Sequence, residues 1–177
     1  LGARRIRPLR GSVSFYGDLP CAYRVCLWAR LASRVTLVLG RAPVSSIDEL
    51  YEAARAIAWE RHVGEGSTIA VEARGGNDAV HDMRFATLRV KDAICDRLRE
   101  LRGSRPFVDA ERPDVRVIAT VRANKTLFSL DLSGGSLIDH GYRVPLRGRV
   151  AVGRAGYVRE DMADLLLDLA GWVKVCK

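Results

Sequence analysis

The stretch from Arg74 to Val108 reads as a loop, one long helix and a sharp exit. At about 100° per residue, Val90, Ile94, Leu98 and Leu101 fall on one apolar stripe, and Leu88 and Cys95 widen its flank. Arg89, Asp92, Asp96 and Arg99 lie opposite and are expected to face water. Lys91 breaks the pattern by falling inside the apolar arc. Arg84 and Arg102 fall at nearly the same angle, so three cations line one flank of a packed face. Two readings of Lys91 stand side by side. It packs its stem and sends its head to water, or it is held on a rigid element to meet a phosphate. His81 and Asp82 open the helix as cap contacts, and Gly103 closes it as a C-cap. Arg105-Pro106 then forces an extended exit.

Ile6–Leu9 and Val13–Tyr16 are short strands around an Arg10-Gly11-Ser12 turn. Asp18 caps a helix that tolerates Pro20 in its first turn. Val35–Leu39 is a β-branched and leucine run expected to be a buried strand. These forty residues thus read β-β-α-β, one β-α unit short of a ferredoxin-like arrangement. Gly40-Arg41-Ala42-Pro43 marks a boundary. Ser46-Ile47-Asp48-Glu49 is a capping box opening a helix that ends at Trp59. Thr68–Ala73 is a strand delivering Arg74-Gly75-Gly76-Asn77 at its C-terminal end, where α/β sheets meet ligands. The glycines either let backbone approach an anion or form a simple turn. Val115–Val121 and Thr126–Leu132 form a hairpin about Asn124-Lys125. Gly134–Gly156 is glycine- and arginine-rich. Either it is a solvated linker, or Tyr142, His140, Arg143, Arg147, Arg149 and Arg154 stack on or grip a nucleic acid strand. Val158–Trp172 is a last helix whose Leu165-Leu166-Leu167 run exceeds one face and is expected to pack on something further.

The order describes an α/β (α+β) chain, and charge gives it a direction. The 177 residues carry a net charge of +8, and lysine occurs only at 91, 125, 174 and 177. Arginine therefore supplies most of the positive charge, which favours bidentate contacts to phosphate. Such a balance suits a nucleic acid or an anionic surface, though some basic proteins are merely basic. Cys21, Cys26, Cys95 and Cys176 form no C-x-x-C pair, so free thiols in a reducing cytoplasm are expected rather than a zinc site. No signal peptide or bilayer-spanning run is evident. G-x-G-x-x-G, Walker, G-x-S-x-G and H-E-x-x-H motifs are absent. The Glu160-Asp161 pair sits at a helix start, where dipole compensation explains it.

One collinear series of motifs resembles a known family. It runs from a strand ending near Arg74 through F-A-T-L-R-V-K-D-A-I-C-D-R-L-R-E, S-R-P-F-V-D, P-D-V-R-V, F-S-L-D-L-S-G-G-S-L and H-G-Y-R. It is similar to the THUMP domain of bacterial 23S rRNA guanine-N2 methyltransferases. Upstream, G-S-V-S-F-Y-G-D-L-P-C-A-Y-R-V-C-L-W-A-R-L-A-S-R-V resembles the ferredoxin-like piece preceding THUMP. Downstream, V-R-E-D-M-A-D-L-L-L-D-L-A-G-W resembles the helix leading into the methyltransferase domain. Lys91-Asp92 matches the family's Lys-Asp pair, Arg105-Pro106 its Arg-Pro exit, and His140-Gly141-Tyr142-Arg143 the segment past the last THUMP strand. Leu137-Ile138-Asp139-His140 is less basic than the family's pattern, and the segment from Tyr142 to Val158 departs from it.

The resemblance implies an incomplete ferredoxin-like piece over 1–42, a THUMP-type α/β domain over 43–134, a basic linker over 135–157 and a connecting helix over 158–177. It implies a fragment that binds RNA, with Arg74, Asn77, Arg84, Lys91, Arg105, His140, Tyr142 and Arg143 at the interface. Methylation of 23S rRNA with S-adenosylmethionine is expected of a domain outside this chain, so the chain itself is expected to hold no cofactor and no catalytic residue. Two other readings remain open: the THUMP region of a tRNA-modifying enzyme, and a non-catalytic interaction module with incidental charge.

Overall fold

The computed structural model describes residues 2–9, 11–123, 125–137 and 160–170. The chain divides into two compact units: Leu1–Val35 with Leu132–Lys177, and Thr36–Asp131. In the first, β1 (Arg4–Leu9) and β2 (Ser12–Tyr16) pair antiparallel as a separate two-stranded sheet. Helix α1 (Leu19–Trp28) follows, and the Asp18 carboxylate accepts the Cys21 N–H at 2.8 Å, closing its N-terminus. Helix α4 (Glu160–Leu169) carries Leu166, Leu167 and Leu169 to the surface.

The second unit is a five-stranded mixed sheet ordered β3-β7-β6-β4-β5, with β3 Thr36–Pro43, β4 Thr68–Gly76, β5 Phe107–Val108, β6 Val115–Arg122 and β7 Lys125–Asp131. Strands β5 and β6 run parallel to β4, while β7 runs antiparallel to β6 and β3. Helices α2 (Ile47–Arg55) and α3 (Met83–Arg102) complete the unit. Leu50, Ala54, Val90, Ile94 and Leu98 share one core with Ile69, Ala73, Val117, Ala119, Val121, Phe128 and Leu130. Those strand residues recur at every second position, so a single face of the sheet is closed by the helices.

The helix signals act as expected. Ser46 Oγ accepts the Glu49 N–H at 3.1 Å, while Glu49 reaches back to the Ser45 N–H at 2.6 Å. Asp82, rather than His81, caps α3, accepting the N–H groups of Arg84 and Phe85 at 2.9 and 3.0 Å. Gly103 ends it in the left-handed region at φ +76. A second glycine is forced: Gly75 has φ +87, and a Cβ there would lie inside the van der Waals shell of the Val121 carbonyl.

Several expectations change. The run Val35–Leu39 is not a buried strand: β3 is an edge strand with alternating exposure, and it continues through Gly40 to Pro43. Edge position explains both, since Pro43 lacks an N–H and a register shift between Val38 and Gly40 absorbs the irregularity. Because β3 pairs with β7, the second compact unit begins at Thr36. Helix α2 stops at Arg55, and Trp59 opens a short 3-10 turn (Trp59–Arg61), fully buried, with its indole N–H donating to Ala54 O at 2.6 Å. Leu88 and Leu101 are half exposed, and Ala86 and Ala93 take the buried places on α3. Arg89 and Asp96 do not simply face water. Arg89 lies 4.6 Å from the Tyr51 ring centroid and pairs with Asp48, and Asp96 accepts the Tyr51 hydroxyl at 3.0 Å. The outer flank of α3 is the seam against α2, and charged groups fill it.

Candidate nucleic-acid interface

The cations of α3 divide by partner. Arg97 makes a paired contact to Glu60 at 2.9 Å through both Nε and Nη2 and also donates to Arg55 O. The guanidinium holds the Glu60 carboxyl down at about 2. Arg102 donates to the carbonyls of Val63 and Glu60, both at 2.7 Å. It is thus drawn to the turn beneath the helix end and does not join Arg84 and Lys91 in an outward row. Arg84 is exposed, and its side chain has no described partner. Lys91 is half buried and its Nζ lies 3.0 Å from Asp92, so its stem packs and its head reaches the surface, as the snorkelling reading expects. Arg84 and Lys91 are two helical turns apart, about 10 Å along the axis.

The remaining expected residues lie elsewhere. Arg105 sits beyond the helix end and donates to Asp96 at 2.8 Å. Arg74 is on the sheet face turned away from the helices and is held by Glu72 at 2.6 and 2.8 Å, which raises the guanidinium pKa. The sheet therefore separates Arg74 from Arg84 and Lys91. Asn77 is committed internally. Its amide donates to Val44 O at 3.1 Å and to Ala123 O, and its oxygen accepts from the N–H groups of Ala79 and Val80 at 3.1 and 2.6 Å. With two donors and two acceptor sites used, it has nothing left for a ligand. It ties three loops together beside a shallow cavity of about 400 Å³ lined by Val44, Ser45, Asp78, Ala79 and Ala123. His140, Tyr142 and Arg143 lie outside the described residues.

Sequence reasoning missed three cations on the face that carries Arg74. Arg41, Arg122 and Lys125 are exposed there. No local pattern marks them, because strand register alone brings them together. Among the described residues no group of three or more His, Cys, Asp or Glu side chains is placed to hold a metal. Cys95 is buried, and burial raises its thiol pKa, so it is a poor nucleophile. No helix among the described residues is long and apolar enough to cross a membrane.

Residues 44–131 match the family model of the THUMP domain, and residues 1–36 match that of the RlmL ferredoxin-like domain. The chain carries a THUMP domain behind a ferredoxin-like segment of the RlmL type. The chain is similar to the ribosomal RNA large subunit methyltransferase K/L of Syntrophotalea carbinolica, 42% identical over 175 residues, which cover 99% of this chain and 24% of that relative. The protein of the same name from Pseudomonas aeruginosa is 43% identical over 175 residues, 99% of this chain and 23% of the relative. The chain thus spans about a quarter of the length of these relatives. A Listeria monocytogenes structure described as a predicted N6-adenine-specific DNA methylase superposes with a TM-score of 0.77 at 26% identity, over 93% of this chain and 41% of that one. TrmN from Thermus thermophilus shares the fold, with a TM-score of 0.63. The matched THUMP span holds α2, α3 and strands β4 to β7, and β3 (Thr36–Pro43), just upstream of it, completes the same sheet.

Proposed function

We propose that this chain is the RNA-binding region of an S-adenosylmethionine-dependent rRNA guanine-N2 methyltransferase of the cytoplasm, positioning 23S rRNA for a catalytic domain in cis. The observation that carries this reading is the collinear match of both family models and of the K/L relatives across almost the whole chain. The charge of +8, supplied mostly by arginine, supports it. The residues of this chain hold and orient RNA. Arg84 is free to meet a phosphate, Lys91 exchanges its partly exposed Asp92 partner at little cost, and Arg105 is itself exposed while Asp96 keeps Tyr51 as a partner. Methyl transfer belongs to residues outside this chain, where S-adenosylmethionine supplies the methyl group.

The test is competition between a 23S rRNA fragment and tRNA for the full chain at fixed salt. Preferential binding of the rRNA fragment, weakened by Lys91→Glu, supports the reading. Preferential binding of tRNA replaces it with the THUMP region of a tRNA-modifying enzyme, and absence of binding to either replaces it with an interaction module.

A further inference from the structure

On the sheet face turned away from α2 and α3, register sets four cations in two adjacent rows. Across β4, β6, β7 and β3 one row reads Gly76, Arg122, Lys125, Pro43, and the next reads Arg74, Thr120, Leu127, Arg41. With strands about 4.8 Å apart and rows about 7 Å apart, the cations occupy a patch roughly 14 Å by 7 Å. Arg41, Arg122 and Lys125 are exposed. Among the described residues Arg74 is paired with Glu72, and no carboxylate lies within ion-pairing distance of the other three.

Two features make this more than a solvated charge cluster. Arg122 and Lys125 are directly opposed across the hairpin, an arrangement of like charges that weakens a sheet and that an anion would relieve. The eight residues of the two rows also include no aromatic side chain. Such a surface offers bases guanidinium planes but no aromatic platform, the means by which single strands are chiefly read on sheet faces. It can take phosphates spaced across a helical groove, recognised by shape.

We propose that this two-row patch docks the phosphate backbone of base-paired RNA, with Arg41, Arg122, Lys125 and Arg74 as the contacts. The proposal rests on the RNA-binding reading above and goes further in naming the surface and the form of RNA. Neither the helix α3 cations nor the segment beyond residue 137 enters it.

The test uses the full chain with two probes of equal phosphate number, a blunt RNA hairpin and an unstructured oligouridine. Arg122→Glu with Lys125→Glu is compared with Arg61→Glu with Arg112→Glu, two exposed residues outside the patch. Both pairs lower the net charge by four, from +8 to +4. Arg122→Gln with Lys125→Gln serves as a milder second variant, and urea midpoints check folding. The wild type is expected to favour the hairpin. The patch variant should lose on the order of tenfold or more in hairpin affinity at low salt, with a log–log salt slope shallower by about two, and the control should lose much less. Equal losses in both variants, or no loss in either patch variant, overturn the proposal while leaving RNA binding in place. A wild-type preference for oligouridine overturns it as well. A wild type that binds neither probe overturns this proposal and the RNA-binding reading together.

Discussion

Asn77 gives the sharpest test of how the THUMP domain holds its upper loops. Its carboxamide bridges Val44 O, Ala123 O and the N–H groups of Ala79 and Val80. Each such bond contributes about 1 kcal/mol net, and a buried group left unmatched costs about 1–3 kcal/mol. Val44 and Val80 are buried residues whose bonds to Asn77 are part-buried, so Asn77→Ala leaves one acceptor and one donor with reduced access to water. The expected loss is about 3–4 kcal/mol, a large share of the 5–15 kcal/mol typical of a domain. Asn77→Asp keeps the shape and the acceptor oxygens but turns a carboxylate toward two carbonyls. Ionisation is disfavoured in that folded setting, so the introduced carboxyl has a raised folded pKa. Its deficit relative to wild type therefore narrows at acid pH and widens as pH rises through that pKa. Urea unfolding across pH, followed by the fluorescence of the fully buried Trp59, reads both effects. An Asn77→Ala variant within about 1 kcal/mol of wild type would refute the three-loop tie.

Other residues test the same architecture. Gly75→Ala should cost several kcal/mol, because φ is +87 and a Cβ meets the Val121 carbonyl, whereas Gly66→Ala, at φ +75 with open space around it, should cost only about 1 kcal/mol. Urea midpoints that match for the two variants contradict the close approach. Glu60, held at about 2 by Arg97, stabilises the fold above the ordinary carboxylate pKa of 4.5, and that contribution disappears as pH falls through about 2. Discounted for partial exposure, it is about 1 kcal/mol, so Glu60→Gln should lose that much at pH 7 and show a flatter acid limb in thermal melts. Ala123 holds φ +44 in the β6–β7 turn, so Ala123→Gly should be neutral to slightly stabilising, and a loss above about 1 kcal/mol contradicts the left-handed turn.

Local chemistry was legible in the sequence and partnership was not. The Ser46 capping box, the Gly103 stop and the inward face of α3 follow from spacing alone, because caps and periodicity are properties of neighbouring residues. The outward flank of α3 was misjudged because a wheel places Arg89 and Asp96 but does not show that Tyr51 of α2 packs against them. The edge position of β3 was hidden for a related reason, since a β-branched run looks alike at an edge and in the centre. Arg41 and Arg122 are some eighty residues apart in the chain and meet only through the register of β3, β7 and β6. Basic residues on the helix drew notice because they break a pattern, while those on the strands fit an ordinary alternation. Asn77 stood out beside two glycines, yet its neighbours turn out to use its whole hydrogen-bonding capacity.

In the proposed function this chain grips RNA through its phosphates. The most direct measurement is the affinity of the full chain for a 23S rRNA fragment across a salt series. The four cations of the sheet patch predict by themselves a log–log slope of about −3 to −4, steeper where Arg84, Lys91 and Arg105 also engage, with binding tightening steadily as salt falls. A flat salt dependence, or no binding at low salt, would contradict the claim.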